Sequence, residues 1–236
     1  MVKILEAARQ SRKRRCQLVY KRPVQQSSSS LKESGPRMQI KVESRWLGDV
    51  VVLVPEVFQD GRGFFTETFR ADQFKALGLP TEFVQDNHSR SAKGVVRGLH
   101  FQWAPPMGKL MRVTAGSAFL VAVDIRKGSP TLGKWVGVEA SVENRRQVWA
   151  PAGFARGFCA LSDATEIQYK CTGIYNNKAE SAIRWNDPAI GIQWPLADVT
   201  VSDKDRNAPM LSDWLRSPDS DNFRYSEQET ELSLRA

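Results

Sequence analysis

Between residues 50 and 185 the chain is a succession of short apolar and β-branched runs, broken by Gly, Pro, Asn or Asp. The runs at 50–54, 64–69, 109–114, 118–125, 134–142, 146–150, 157–161, 166–171 and 182–185 have strand length and β-forming composition. Their close spacing predicts a sandwich or barrel and argues against βαβ units. Residues 71–77 form the one clear helical stretch, stopped by Gly78 and Pro80. Pro151-Ala152-Gly153 and Asp187-Pro188 read as sharp turns. The expected fold is all-β: a double-stranded jelly roll of the cupin kind, with one or a few short helices.

Charge divides the chain before hydrophobicity does. Residues 1–37 hold ten basic and two acidic residues. The whole chain has 34 Lys+Arg and 26 Asp+Glu, so the remainder is formally neutral. The basic balance therefore describes a leader, 1–39, and argues weakly for nucleic acid. That leader contains Arg12-Lys13-Arg14-Arg15 and the low-complexity tract Gln25-Gln26-Ser27-Ser28-Ser29-Ser30. It reads as a disordered tail or an early start, with Met38 as the natural beginning. The folded domain is expected over 40–214, long enough for one substantial core. A polar tail, 215–236, is expected to fray after it. No run of about 18 apolar residues is present, so no membrane span is expected. Cys16, Cys159 and Cys171 lack metal-ligand spacing and read as reduced, cytoplasmic thiols.

The chemistry concentrates between residues 85 and 112. The chain has two histidines, His88 and His100. Arg97-Gly98-Leu99-His100 ends in the second; Gly108-Lys109-Leu110-Met111-Arg112 follows. Cation, imidazole and cation, interleaved with apolar residues at strand-like spacing, would line a pocket for an anionic substrate with a base inside. Taken alone, the same residues also fit a core histidine flanked by solvated charges. A metal would need several histidines and a carboxylate converging. No His-x-His occurs, and neither GxGxxG nor a P-loop is present, so no metal, nicotinamide or nucleotide-hydrolysis chemistry is expected.

A set of motifs then resembles the dTDP-4-dehydrorhamnose 3,5-epimerase family. It includes Asp60-Gly61-Arg62-Gly63-Phe64-Phe65-Thr66-Glu67, Gln85-Asp86-Asn87-His88, Arg97-Gly98-Leu99-His100-Phe101-Gln102 and Gly108-Lys109-Leu110. It continues through Pro151-Ala152-Gly153-Phe154-Ala155-Arg156-Gly157-Phe158, Gln168-Tyr169-Lys170-Cys171-Thr172, Trp185-Asn186-Asp187-Pro188 and Ser202-Asp203-Lys204-Asp205. The motifs run in family order from about residue 51 to 214.

The resemblance implies a cupin-like homodimer that acts on a dTDP-4-keto-6-deoxyhexose without metal or organic cofactor. The implied reaction inverts C3 and C5, both acidified by the C4 ketone. By family position His100 is the base, Asp205 its orienting carboxylate, Tyr169 the acid and Lys109 the donor to the enolate oxygen. Neutral imidazole, with an ordinary pKa near about 6.5, suits a base at cellular pH. Arg62, Glu67, Gln85, Asn87, Arg97 and Lys204 match substrate-contacting positions. Arg156 stands where many members carry His; it stays protonated and could only donate. Two other readings remain open: epimerisation at C3 or C5 alone, and a non-catalytic sugar-nucleotide-binding cupin.

Overall fold

The computed structural model describes residues 38–226. The expected basic leader lies outside the described residues except for positions 38 and 39, and so does 227–236.

Two sheets face each other. The first is ordered β1 (Ile40–Trp46), β2 (Val50–Pro55), β10 (Gln147–Ala150), β7 (Lys109–Ala115), β12 (Thr165–Cys171), β5 (Gln85–Ser91). The second is ordered β13 (Glu180–Ala182), β6 (Val95–Gln102), β11 (Phe154–Ala160), β8 (Ser117–Asp124), β9 (Trp135–Ser141). A two-residue strand, β14 (Thr200–Val201), joins β6 in parallel. The hairpin β3 (Val57–Asp60) and β4 (Gly63–Thr66) stands apart as its own two-stranded sheet. Three short helices complete the domain: α1 (Ala71–Ala76), α2 (Asp203–Arg206) and α3 (Leu211–Arg216). The architecture is the expected nearly all-β jelly roll.

Side-chain alternation explains the layers. Val52, Met111, Val113 and Ile167 from the first sheet meet Leu120, Val138, Phe154 and Phe158 from the second. The outer faces are covered as well. Val51, Leu53, Leu110 and Trp149 pack under Phe74 of α1 and Leu79. Leu99, Phe101, Val121 and Val123 pack under Ile183, Leu211, Trp214 and Phe223. A strand buried on both faces loses its polar alternation. That is why β2 reads in sequence as one unbroken apolar run.

The structure departs from the sequence reading at several elements. The run at 64–69 is strand only to Thr66, where the hairpin ends. Strands β1, β3, β5 and β6 form from polar-rich segments that were not counted as strands; pairing, not composition, makes them so. Finally, residues 215–223 pack instead of fraying. Helix α3 runs to Arg216, a 3₁₀ turn spans Pro218–Asn222, and Phe223 is buried against Phe101 and Trp214. The Lys127 amide donates to the Phe223 carbonyl at 2.8 Å, which fastens that segment.

Candidate active site

Glycine 98 decides which way His100 points. Residues three apart on a regular strand face opposite sides. Here Arg156 pairs with His100 and Phe158 with Arg97, with an irregularity between, so two residues of β6, Gly98 and Leu99, oppose one of β11, Gly157. This bulge brings Arg97 and His100 onto one face, the inner one that Phe158 shares. Gly98 holds the bulge at φ +123°, a region side chains rarely adopt. A Cβ there would lie 2.6 Å from the Gly157 Cα and 2.8 Å from the Arg156 carbonyl oxygen.

Behind His100 lies Asp205, 3% exposed, on α2. Ser202 caps that helix by accepting from the Asp205 amide at 3.2 Å, which aims the carboxylate at β6. Asp205 Oδ1 accepts from His100 Nε2 at 2.6 Å, and Oδ2 accepts from the Gly98 amide at 3.2 Å. Burial by itself would raise the Asp205 carboxyl. The hydrogen bond and charge of His100, then the Gly98 and Ser202 bonds, outweigh it and hold the carboxyl below its ordinary value. An ionised carboxylate has no proton to give. Nε2 therefore carries the hydrogen, which leaves Nδ1 as the ring nitrogen available for base chemistry.

The facing sheet supplies the other chemistry. His100, Lys109, Tyr169, Gln85 and Asn87 line one cavity of about 250 Å³. The Lys109 Nζ lies 5.0 Å from the centre of the Tyr169 ring. Lys109 is brought down to about 8, first by burial and then by the Arg156 charge; Cys171 and Glu180 act the other way. Burial raises the Tyr169 phenol, Cys171 adds to this, and the charges of Arg97 and Arg156 oppose it. Tyr169 is therefore a neutral O–H donor at cellular pH, and Lys109 is a cation close to releasing its proton.

The remaining expected residues divide. Arg97 is on the inner face but exposed, and it donates to Ser91 Oγ at 3.1 Å and the Arg90 carbonyl at 3.2 Å. Arg156 is 4% exposed and does not line the cavity. Lys204 does not line the cavity but pairs with Glu180, which does. Arg62 and Glu67 are not brought to the cavity in one chain. Arg62, on the turn between β3 and β4, pairs with Asp60 at 2.5 Å, its side chain 92% exposed. Glu67 pairs with Arg70 at 3.4 Å.

Two titratable residues of the cavity, Tyr175 and Glu180, were missed in the sequence. Glu180 lines the wall, and the Tyr175 hydroxyl donates to it at 3.0 Å. Burial would raise the Glu180 carboxyl, but Lys204, Tyr175 and the His100 charge together lower it. The reading started that strand at 182, whereas β13 begins at Glu180 and pairs it with Gln102. An acid two positions before the run at 182–185 was the available signal. Among the described residues no three His, Cys, Asp or Glu side chains are grouped so as to hold a metal ion.

The arrangement sets an oriented base on one sheet against a proton donor and a cation on the other. Comparison with known proteins bears on what it serves. The sequence model of the dTDP-4-dehydrorhamnose 3,5-epimerase family matches residues 45–213. A Neisseria gonorrhoeae protein of that name is 55% identical over 166 residues, 70% of this chain; the chain spans only about half (48%) of that longer relative. The Shigella flexneri enzyme of the same name is 53% identical over 167 residues, covering 70% of this chain and 92% of its own. A dTDP-6-deoxy-D-glucose-3,5-epimerase from Legionella pneumophila, solved with dTDP-4-keto-L-rhamnose, superposes with a TM-score of 0.74 at 45% identity. That match covers 80% of this chain and 100% of the Legionella chain. On these matches the chain belongs to the dTDP-4-dehydrorhamnose 3,5-epimerase family.

Proposed function

We propose that this chain inverts C3 and C5 of dTDP-4-dehydro-6-deoxy-D-glucose to give dTDP-4-dehydro-L-rhamnose, with His100 as base and Tyr169 as acid. The observation that carries this is the His100–Asp205 pair, 2.6 Å apart, facing Tyr169 and Lys109 across one cavity. Nδ1 of His100 removes the proton from a carbon next to the C4 ketone. The electron pair moves into an enolate, whose oxygen takes a hydrogen bond from Lys109. Asp205 stabilises the imidazolium that forms. Tyr169, on the opposite sheet, returns a proton to the other ring face, which inverts the centre. Proton exchange with solvent then returns His100 to free base and Tyr169 to phenol, and after the ring shifts in the pocket the same groups serve the second carbon. A placed proton carrier contributes about 10²–10⁴-fold, and a preorganised donor to the oxyanion about 10²–10³-fold. The reaction so written needs no metal or organic cofactor.

The anionic diphosphate suits the cations Arg97 and Lys204, with Gln85 and Asn87 donating beside them. Arg62 and Glu67 belong to this list only if another copy supplies them. The β3–β4 hairpin exposes Phe64 (58%) and Phe65 (65%), which suits burial against a second protomer. A homodimer in which each hairpin completes its neighbour's pocket unites these features. No helix among the described residues is long and apolar enough to cross a membrane, and Cys159 and Cys171 are unpaired. A cytoplasmic enzyme fits both.

The test is incubation with the dTDP-4-keto-6-deoxyglucose in D₂O, followed by NMR. Deuterium should enter at C3 and C5 with inversion at both. His100→Ala should abolish exchange at both carbons while the protein stays folded. Near-normal exchange in that variant would remove His100 from the mechanism.

A further inference from the structure

Arg156 is a buried cation with no carboxylate paired to it among the described residues. Its Nη1 donates to the carbonyls of Met107 (2.9 Å), Ala150 (3.2 Å) and Pro151 (3.0 Å). Its Nε and Nη2 are buried without a partner. Leaving charged donors unsatisfied in a protein interior costs free energy, so such a group calls for a reason. Burial brings the guanidinium down to about 10, which leaves it charged at neutral pH. It stands directly opposite His100 in the sheet but lines no part of the cavity.

We infer that Arg156 is a positioning residue that acts through the field it sets at Lys109, without touching substrate. The inference rests on Lys109 serving the enolate oxygen, as proposed above. The surroundings of Lys109 make it sensitive to that field. Arg156, on β11, donates to the carbonyl of Ala150, the residue that pairs with Lys109 between β10 and β7; Cys171 of β12 pairs with Lys109 from the other side, and His100, Tyr169 and Glu180 line the same cavity. Among the described residues Glu180 is the one carboxylate acting on Lys109, and it is already paired with Lys204. After burial, the Arg156 charge is the next largest cause of the ease with which Lys109 loses its proton. An acid whose pKa lies near the working pH transfers protons most effectively. Arg156 thus strengthens Lys109 as a donor to the C4 oxygen. The cost is activity in mild alkali, where Lys109 loses its charge.

The experiment follows kcat/KM against pH, and separately the pH dependence of Lys109 trinitrophenylation, read by mass spectrometry. Both use the full chain. The wild type should lose activity on an alkaline limb near pH 8. Arg156→Lys should keep that limb in place. Arg156→Met should move the limb and the labelling midpoint upward together, by about one pH unit. Arg156→Gln keeps two N–H donors for the three carbonyls and serves if the Met variant does not fold. Its limb and midpoint should move in the same direction. A midpoint unmoved in the neutral variants, or a kcat/KM lowered evenly at every pH, would overturn the inference and leave Arg156 a packing or binding residue. Labelling needs no substrate. A midpoint that moves in a protein with no epimerase activity would sink the functional reading and leave the field at Lys109 standing.

Discussion

Asp205→Asn is a one-atom test of the proposed base. Asp205 uses both oxygens as acceptors: Oδ1 for His100 Nε2 at 2.6 Å and Oδ2 for the Gly98 amide at 3.2 Å. Asparagine has one acceptor and one donor group. The Gly98 amide can only donate, so the single side-chain oxygen must turn toward it. The NH₂ group then faces His100 Nε2, which has to accept. The ring hydrogen moves to Nδ1, the atom that needs to be free. The variant thus keeps shape and packing but holds the wrong tautomer, and the imidazolium loses its counter-charge. Exchange of the C3 and C5 protons in D₂O should fall about 10²–10⁴-fold. Replacing a charge-assisted bond should cost stability of roughly 1.5–3 kcal/mol. The sign with pH is fixed by the direction of the Asp205 shift. Its carboxyl lies below the ordinary 3.8 in the fold, so the stability it adds is present above 3.8 and is lost as pH falls through the folded value. Denaturant midpoints of wild type and variant should therefore converge in acid. Nitrogen-15 NMR of the imidazole should show hydrogen on Nε2 in the wild type and on Nδ1 in the variant. Exchange within tenfold of wild type, with the tautomer switched, would refute the assignment of Nδ1 as the base.

Tyr169→Phe keeps the ring beside Lys109 and removes the hydroxyl. Deuterium exchange should persist at one or both carbons while inverted product falls about 10²-fold or more by NMR. Gly98→Ala forces a side chain into φ +123° and against the Gly157 backbone, so urea unfolding should show a loss of at least about 2 kcal/mol. Activity should survive exhaustive EDTA treatment and dialysis; a loss that zinc, iron or manganese restores would reverse the cofactor-free reading. A chain beginning at Met38 should retain turnover, measured by the same NMR assay.

Much of the framework was legible because it rests on local periodicity. The runs at 50–54, 109–114, 118–125 and 166–171 coincide with β2, β7, β8 and β12 within a residue or two, since β-branched runs between Gly and Pro carry their own strand signal. The order of motifs carried the family and, with it, the expected roles of His100, Lys109, Tyr169 and Asp205. What the sequence by itself determined, then, was strand content, fold class and the types of residue available for chemistry. It did not determine which of them meet. Asp205 reaches His100 across 105 positions only because β14 and α2 return to the edge of β6. Arg97 and His100 share a face only because Gly98 introduces a bulge, and regular alternation would have separated them. Glu180 enters the wall through its pairing with Gln102 on β6. Arg156, expected on the wall, is buried beyond it, and Arg62 and Glu67 sit on ion pairs outside the cavity. These are outcomes of sheet register and long-range packing, whose free energy is shared among residues far apart in the chain. No local window of sequence contains that information, and the tertiary structure alone decided it.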